Sequence, residues 1–383
     1  MMEGLLSMIG LFSQTTFTWA NAVMLAIGAV LIYLAIAKEY EPVLLLPIGF
    51  GCMLANLGMS VYEPGSFLAV IYDAGIRTEL LPLLIFVGIG AMIDFRPLLS
   101  QPKMVLLGAA GQFGIFGTLI IATWLGFSLN ESASIGIIGA IDGPTAIFVA
   151  SKLAPHMLGP ISVAAYSYMS LIPIIQPPIM RLLTSPAERA IRMEYVERPV
   201  SRTTVLLFPI VVTVAISLIA PAAAPLIATL MLGNLLNESG VVERLSNAAK
   251  NEIINIATLF LGLAIGATMT ADTFLYSTDS GIQWATLAIL ALGLLAFVMD
   301  TVLGLLFGKL MNWISGGKVN PLIGACGISA FPMAARLSAK QALETNPDNF
   351  ILMHAMGSNT AGQLGSVIAG GVLLGLVATL SGL

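Results

Sequence analysis

The chain has 383 residues, of which 57% are hydrophobic and only 9% charged, with a formal net charge of −4 and a mean hydropathy of +0.95. A soluble domain carries about 25% charged residues, so this composition excludes a water-facing globular surface and leaves lipid as the solvent. The acidic balance also excludes a basic footprint for nucleic acid.

In chain order, residues 1–13 hold Glu3, no basic residue and no small-residue cleavage site. They do not read as a secretory signal, and the first span is expected to act as its own insertion signal. Apolar spans are predicted near 18–37, 41–59, 80–95, 104–127, 132–153, 160–182, 204–235, 253–270, 283–308, 319–340 and 350–377. That is about eleven membrane crossings of about 20 residues each. The 204–235 stretch holds Pro209, Pro221 and Pro225 and reads as either one kinked helix or two short ones. Residues 183–203 break the apolar pattern with Glu188, Arg189, Arg192, Glu194, Glu197, Arg198 and Arg202, which mark a solvated linker. The linker separates an N-terminal membrane half, 1–182, from a C-terminal membrane half, 204–383. Cys52 and Cys326 lie in apolar stretches without metal-ligand spacing and read as reduced packing cysteines.

The two halves read as repeats. Ile138-Gly-Ala140 precedes Asp142, and Ile323-Gly-Ala325 precedes Ser329. Val87-Gly-Ile-Gly-Ala-Met returns as Leu263-Ala-Ile-Gly-Ala-Thr, and Leu54-Ala-Asn-Leu-Gly as Leu232-Gly-Asn-Leu-Leu. Matched loops differ in charge: 96–103 carries Arg96 and Lys103 while 271–282 carries no Lys or Arg. Likewise 128–131 carries none, while 309–319 carries Lys309 and Lys318. Basic loops favour the cytoplasm, so the repeats are expected to be inverted. The Arg-rich linker fits this count poorly, and absolute topology stays open. The expected fold is an all-α polytopic membrane protein, with inverted structural repeats and interrupted helices around a midplane ion site.

Three segments place polar groups where lipid penalises them. In Gly139-Ala-Ile-Asp-Gly-Pro-Thr-Ala-Ile147, Asp142 lies mid-span beside Gly143-Pro144. An intramembrane carboxylate costs several kcal/mol unless it is paired or solvated (about 3 kcal/mol or more). Pro144 frees carbonyl oxygens, and a carboxylate, a Thr hydroxyl and loose carbonyls suit a hard cation. In Asn320 through Arg336, Gly324, Gly327 and Pro332 break the helix, while Asn320 and Ser329 offer neutral oxygens. In His354 through Gln363, Asn359 reads equally as an ion ligand and as interhelical glue. His354 reads as a packed or interfacial residue. Tyr168 reads equally as a membrane-belt residue and as a proton donor. Asp94 adjoins Arg96 and is expected at an aqueous edge. Asp300 lies deeper, without a Gly-Pro break beside it.

The segments Gly139 to Phe148, Ala164 to Met180, Asn320 to Arg336, Glu41 to Phe50 and Met353 to Asn359 closely resemble the beta subunits of the biotin-dependent sodium-pumping decarboxylases. These act on oxaloacetate, methylmalonyl-CoA, glutaconyl-CoA or malonate. The resemblance covers nearly the whole chain. It implies a multi-pass protein of the bacterial inner membrane that decarboxylates carboxybiotin on a carrier protein, exports Na⁺ and consumes a proton. By resemblance, Asp142, Asn320, Gly324, Ser329 and Asn359 form the Na⁺ site. Tyr168 and Arg336 match the family's tyrosine and arginine; Tyr168 is expected to donate the proton, and Arg336 to hold the carboxylate of carboxybiotin or to repel Na⁺. The implied partners are a carboxyltransferase alpha subunit, a biotin carrier protein, a small single-span gamma or delta subunit and two further beta copies in a homotrimer. Ser358 stands where many relatives have Pro, which alters the local bend. Ala325-Cys326 stands where Ser-Ala is common, which puts a second Na⁺ contact in doubt. The short stretch between 59 and 80 points to the acyl-CoA branch rather than to oxaloacetate. The competing reading is a stand-alone Na⁺-coupled secondary transporter.

Overall fold

The computed structural model describes residues 18–59, 61–62, 65–193, 199–274 and 284–381. Among these residues every regular element is helical and there is no strand. The first half contains α1 (Trp19–Ala37), α2 (Pro42–Ala55), α3 (Phe67–Tyr72), α4 (Leu80–Met92), α5 (Arg96–Ser100), α6 (Met104–Ala110), α7 (Phe113–Trp124), α8 (Leu129–Gly136), α9 (Gly143–Leu153) and α10 (Leu158–Leu183). Then follow α11 (Pro186–Arg189), α12 (Arg202–Ile219), α13 (Ala224–Ser239), α14 (Glu243–Ala248), α15 (Ile254–Thr268), α16 (Ala271–Phe274), α17 (Trp284–Ile314), α18 (Met333–Thr345) and α19 (Leu352–Ser381).

Seven helices are long and apolar enough to cross a membrane, or eight if Phe67–Arg77 and Leu80–Met92, bent by 59°, form one broken span. About eleven crossings were expected from runs of about 20 apolar residues, so the difference needs a physical reason. The 41–59 run yields only the 14 residues of α2. The 132–153 and 319–340 runs are interrupted at mid-depth and contain no continuous long helix. Hydropathy records that a segment is apolar but not that its backbone unwinds. The 204–235 stretch resolves into two helices, because Pro221 opens a 3₁₀ turn, Pro221–Ala223, between α12 and α13.

Two parallel helix pairs form a close-packed scaffold. In one, α2 lies along α15; in the other, α4 lies along α13. Each contact depends on glycine. A Cβ on Gly266 would overlap the carbonyl oxygen of Ile48, and one on Gly90 would overlap that of Leu230. Backbone atoms cannot yield as side chains do, so Gly90→Leu is expected to lower the thermal unfolding midpoint in detergent, with a cost of at least about 3 kcal/mol. An unchanged midpoint by fluorescence scanning would rule out this packing. The pairs also exchange matching hydrogen bonds. Asn56 donates to the Met269 carbonyl at 2.8 Å, and Asn234 donates to the Ile93 carbonyl at 2.9 Å.

Ion pairs gather the basic loops on one face. Arg96 pairs with Glu238, Arg181 with Glu344, Arg192 with Asp348 and Lys309 with Glu188. The linker therefore lies on the same face as Lys309. The opposite face holds Arg77 with Asp73, Lys152 with Glu79 and His156 with Glu131.

Candidate ion site

The first interruption begins where α8, opened by a capping box between Ser128 and Glu131, tightens into a 3₁₀ turn over Ile137–Ala140. Ile141 then takes a left-handed conformation, φ 51°. A β-branched residue there costs about 1–3 kcal/mol, strain that is typical of functional sites. Asp142 is extended and caps α9, with Pro144 in the first turn where no backbone donor is needed. The carboxylate is 4% exposed. One oxygen accepts the Thr145 backbone N–H at 3.4 Å. The other accepts the Thr145 hydroxyl at 2.7 Å, the Gln363 amide at 2.9 Å and the Ser366 hydroxyl at 2.7 Å. All of these donors are neutral, and no described basic side chain forms an ion pair with Asp142.

The second interruption follows α17. Asn320 caps a 3₁₀ segment, Pro321–Gly327, after which the chain passes through a bend and a turn to Pro332. The two interruptions meet directly: the Ser329 N–H donates to the Ala140 carbonyl at 3.1 Å. Four consecutive carbonyls of the second segment are held by side-chain amides from three helices. Gln176 holds Ala325 at 2.7 Å, Asn359 holds Cys326 at 3.2 Å and Ile328 at 2.7 Å, and Gln112 holds Gly327 at 2.9 Å. The amide oxygens of Gln112, Gln176 and Asn359 are buried acceptors without a donor.

A cavity of about 340 Å³ opens between α2, α4, α15 and this junction. Asp142, Tyr166, Ser329 and Gln363 line it, with Glu41 and Lys250 also on its wall. A buried carboxylate that meets only neutral donors and opens to a cavity has the chemistry that suits a small hard cation.

The residues singled out by sequence separate here. Asp142 and Ser329 share the cavity, and Asn359 braces the segment that carries Ser329. Asn320 lies elsewhere. Its amide donates to the carbonyls of Arg189 and Ile191 at 2.9 Å each, and its oxygen accepts the Leu322 N–H at 3.0 Å. Its capping role ties the second segment to the linker rather than to Asp142. Gly324 is a packing contact, where a Cβ would overlap the Gly304 carbonyl of α17. The Tyr168 hydroxyl donates to the Leu290 carbonyl, whereas Tyr166 lies over Gly143 beside Asp142. Arg336 is exposed on α18, in a groove with Lys340 and Glu344, and does not line the cavity. Asp94 is at an edge as expected, accepting the Arg96 N–H at 2.9 Å. Cys52 and Cys326 are free and buried.

Sequence reasoning assigned no role to Gln112, Gln176, Gln363, Ser366 or Tyr166. One signal was available: Asn359, Gln363 and Ser366 fall at i, i+4 and i+7 on an apolar helix, so they form one polar stripe.

The fold is that of a multi-pass membrane protein with a buried carboxylate where two interrupted helices meet. The profile described as "Na+-transporting oxaloacetate decarboxylase beta subunit" matches residues 20–377, and the chain belongs to that family of bacterial membrane decarboxylase subunits. It is 52% identical over 361 residues to methylmalonyl-CoA decarboxylase subunit beta of Veillonella parvula, covering 94% of each chain. It is 51% identical over 361 residues to glutaconyl-CoA decarboxylase subunit beta of Acidaminococcus fermentans, again covering 94% of each. Oxaloacetate decarboxylase beta chain 2 of Salmonella typhi is 47% identical over 417 aligned positions, covering 92% of this chain and 94% of that one.

Proposed function

We propose that this chain performs the membrane step of a biotin-dependent decarboxylase, in which decarboxylation of carboxybiotin on a carrier protein drives Na⁺ export through the Asp142 site and consumes a proton. The observation that carries the proposal is a buried carboxylate without a cationic partner, at the junction of two interrupted helices and open to a cavity. Sodium arrives there as cargo. Asp142 supplies the counter-charge. The hydroxyls of Thr145, Ser366 and Ser329 supply neutral oxygens, and the donor-free oxygen of Asn359 lies on the neighbouring segment. Asn320 and Gly324 act in this scheme by fixing the second segment rather than by touching the ion. Tyr168 is the proton donor, and its bond to Leu290 must break before it donates. Arg336, on the exposed groove, receives the carrier-borne carboxylate before the bicycle enters the cavity. The cavity's volume is in the range of small-molecule sites.

The bonds of Asn56 to Met269 and of Asn234 to Ile93 are equivalent under the repeats, which match Asn56 with Asn234 and Ile93 with Met269. They support inverted halves, 1–182 and 204–383, about the linker 183–203. The basic face, linker included, is then cytoplasmic. A carboxyltransferase alpha subunit, a biotin carrier and a small gamma or delta subunit dock there or alongside, on a beta trimer. The acyl-CoA branch is the better fit. The Veillonella parvula methylmalonyl-CoA and Acidaminococcus fermentans glutaconyl-CoA relatives align over 361 residues and a second methylmalonyl-CoA relative over 382, whereas the oxaloacetate relative needs 417 aligned positions, more than the 383 residues of this chain. Proteoliposomes holding the complex test the function. Sodium uptake is expected only when carboxylated carrier is supplied, and uptake that proceeds without it would instead establish a stand-alone symporter.

A further inference from the structure

Among the described residues Asp142 and Asp300 are the two buried aspartates. Asp300 lies at the middle of α17 and is fully buried. One carboxyl oxygen accepts the backbone N–H of Gly114, in the first turn of α7. The other has no hydrogen-bond partner. It faces Gly139 in the 3₁₀ turn, where an added Cβ would lie 2.8 Å from it. Asp300 therefore stands behind the first interruption, while the Asp142 side chain points to α19 and the cavity.

No cation reaches this acid from the elements around α17. Helices α6 and α7 and the 3₁₀ turn at 137–140 carry no titratable side chain. Helix α8 brings Glu131, which is engaged with Ser128 and His156 at its outer end. Helix α10 brings Tyr166, Tyr168 and, at its far end, Arg181, which is paired with Glu344. The second 3₁₀ segment brings Cys326, whose thiol faces the carbonyls of Leu322 and Ala334. The nearest other acid along the chain is Asp142, three residues beyond Gly139.

A bare carboxylate with one backbone donor at this depth is strongly disfavoured. Sodium does not resolve it, because a hard cation needs a shell of oxygens and the glycine backbones fill that space. A proton needs no shell. We propose that Asp300 is a proton-binding site, distinct from the Asp142 cation site and placed against the back of the segment that carries it. The proton adds to the free oxygen, and the carboxyl becomes neutral. Its loss sets a negative charge against Gly139 and displaces the turn that orients Asp142. This coupling rests on the sodium reading given above; the protonation itself does not.

Infrared spectroscopy of the purified full chain tests the site without any turnover. Asp142→Asn protein at neutral pH is expected to keep a protonated-carboxyl C=O band that shifts when aspartate is isotope-labelled. Among the described residues Asp300 is then the remaining fully buried carboxyl group. Adding Asp300→Asn should remove the band. If that double variant does not fold, the labelled Asp142→Asn protein still decides, because absence of an aspartate band overturns the proposal; in a folded double variant, a band that survives overturns it as well. In wild-type protein, Na⁺ is expected to shift the Asp300 band, and in Asp142→Asn it should not. A band present but indifferent to Na⁺ overturns the coupling and leaves the proton site standing.

Discussion

Asp142→Asn is expected to abolish decarboxylation-driven ²²Na⁺ uptake in reconstituted vesicles and to reduce Na⁺-dependent carboxybiotin decarboxylation by at least about a thousandfold, as loss of a major electrostatic contact does. The variant should fold, because asparagine still accepts the Thr145 N–H and keeps nearly the same volume. What disappears is the counter-charge, since every group hydrogen-bonded to Asp142 is neutral. Wild-type uptake by a folded Asp142→Asn protein would remove Asp142 from the ion path. Uptake lost together with the thermal transition would reduce its role to helix capping.

Asn359→Leu has the second largest expected effect. It strips the donor from two carbonyls, Cys326 and Ile328, and removes a free acceptor oxygen. Each buried carbonyl left without a partner costs about 1–3 kcal/mol. The apparent Na⁺ affinity should fall by at least about tenfold, because the Ser329 segment is no longer held against Ala140. Asn359→Gln keeps the donor and the acceptor and should recover part of that loss. Sodium titration of decarboxylation in both variants makes the comparison. Equal affinity for leucine and wild type would show that the brace plays no part in binding.

The sequence was informative wherever chemistry and lipid conflict. Asp142 beside Gly143-Pro144 marks an interruption because a carboxylate and a missing backbone donor both need an explanation at that depth. Ser329 and Asn359 stand out by the same logic. Partners were harder. Asn320 is as polar as Asn359, and only three-dimensional contact shows that one bonds to the linker at Arg189 and the other to Ile328. Tyr166 and Tyr168 are two residues apart on one helix, so they face different neighbours, and sequence does not say which neighbour is which. Span counting erred for a related reason: unwound backbone that is buried in protein keeps the apolar composition of a helix.

The brace of amides has a consequence for biogenesis. Gln112 and Gln176 are synthesised well before the segment they hold, whereas Asn359 follows it by about thirty residues in a chain made at roughly 5–20 residues per second. When residues 320–332 leave the ribosome, two of their three partners already await them and the third does not exist. Two carbonyls thus face the insertion machinery unpaired until the last helix emerges. Nascent chains stalled before position 359 should therefore remain at the translocon, because α19 supplies the donor that these carbonyls lack.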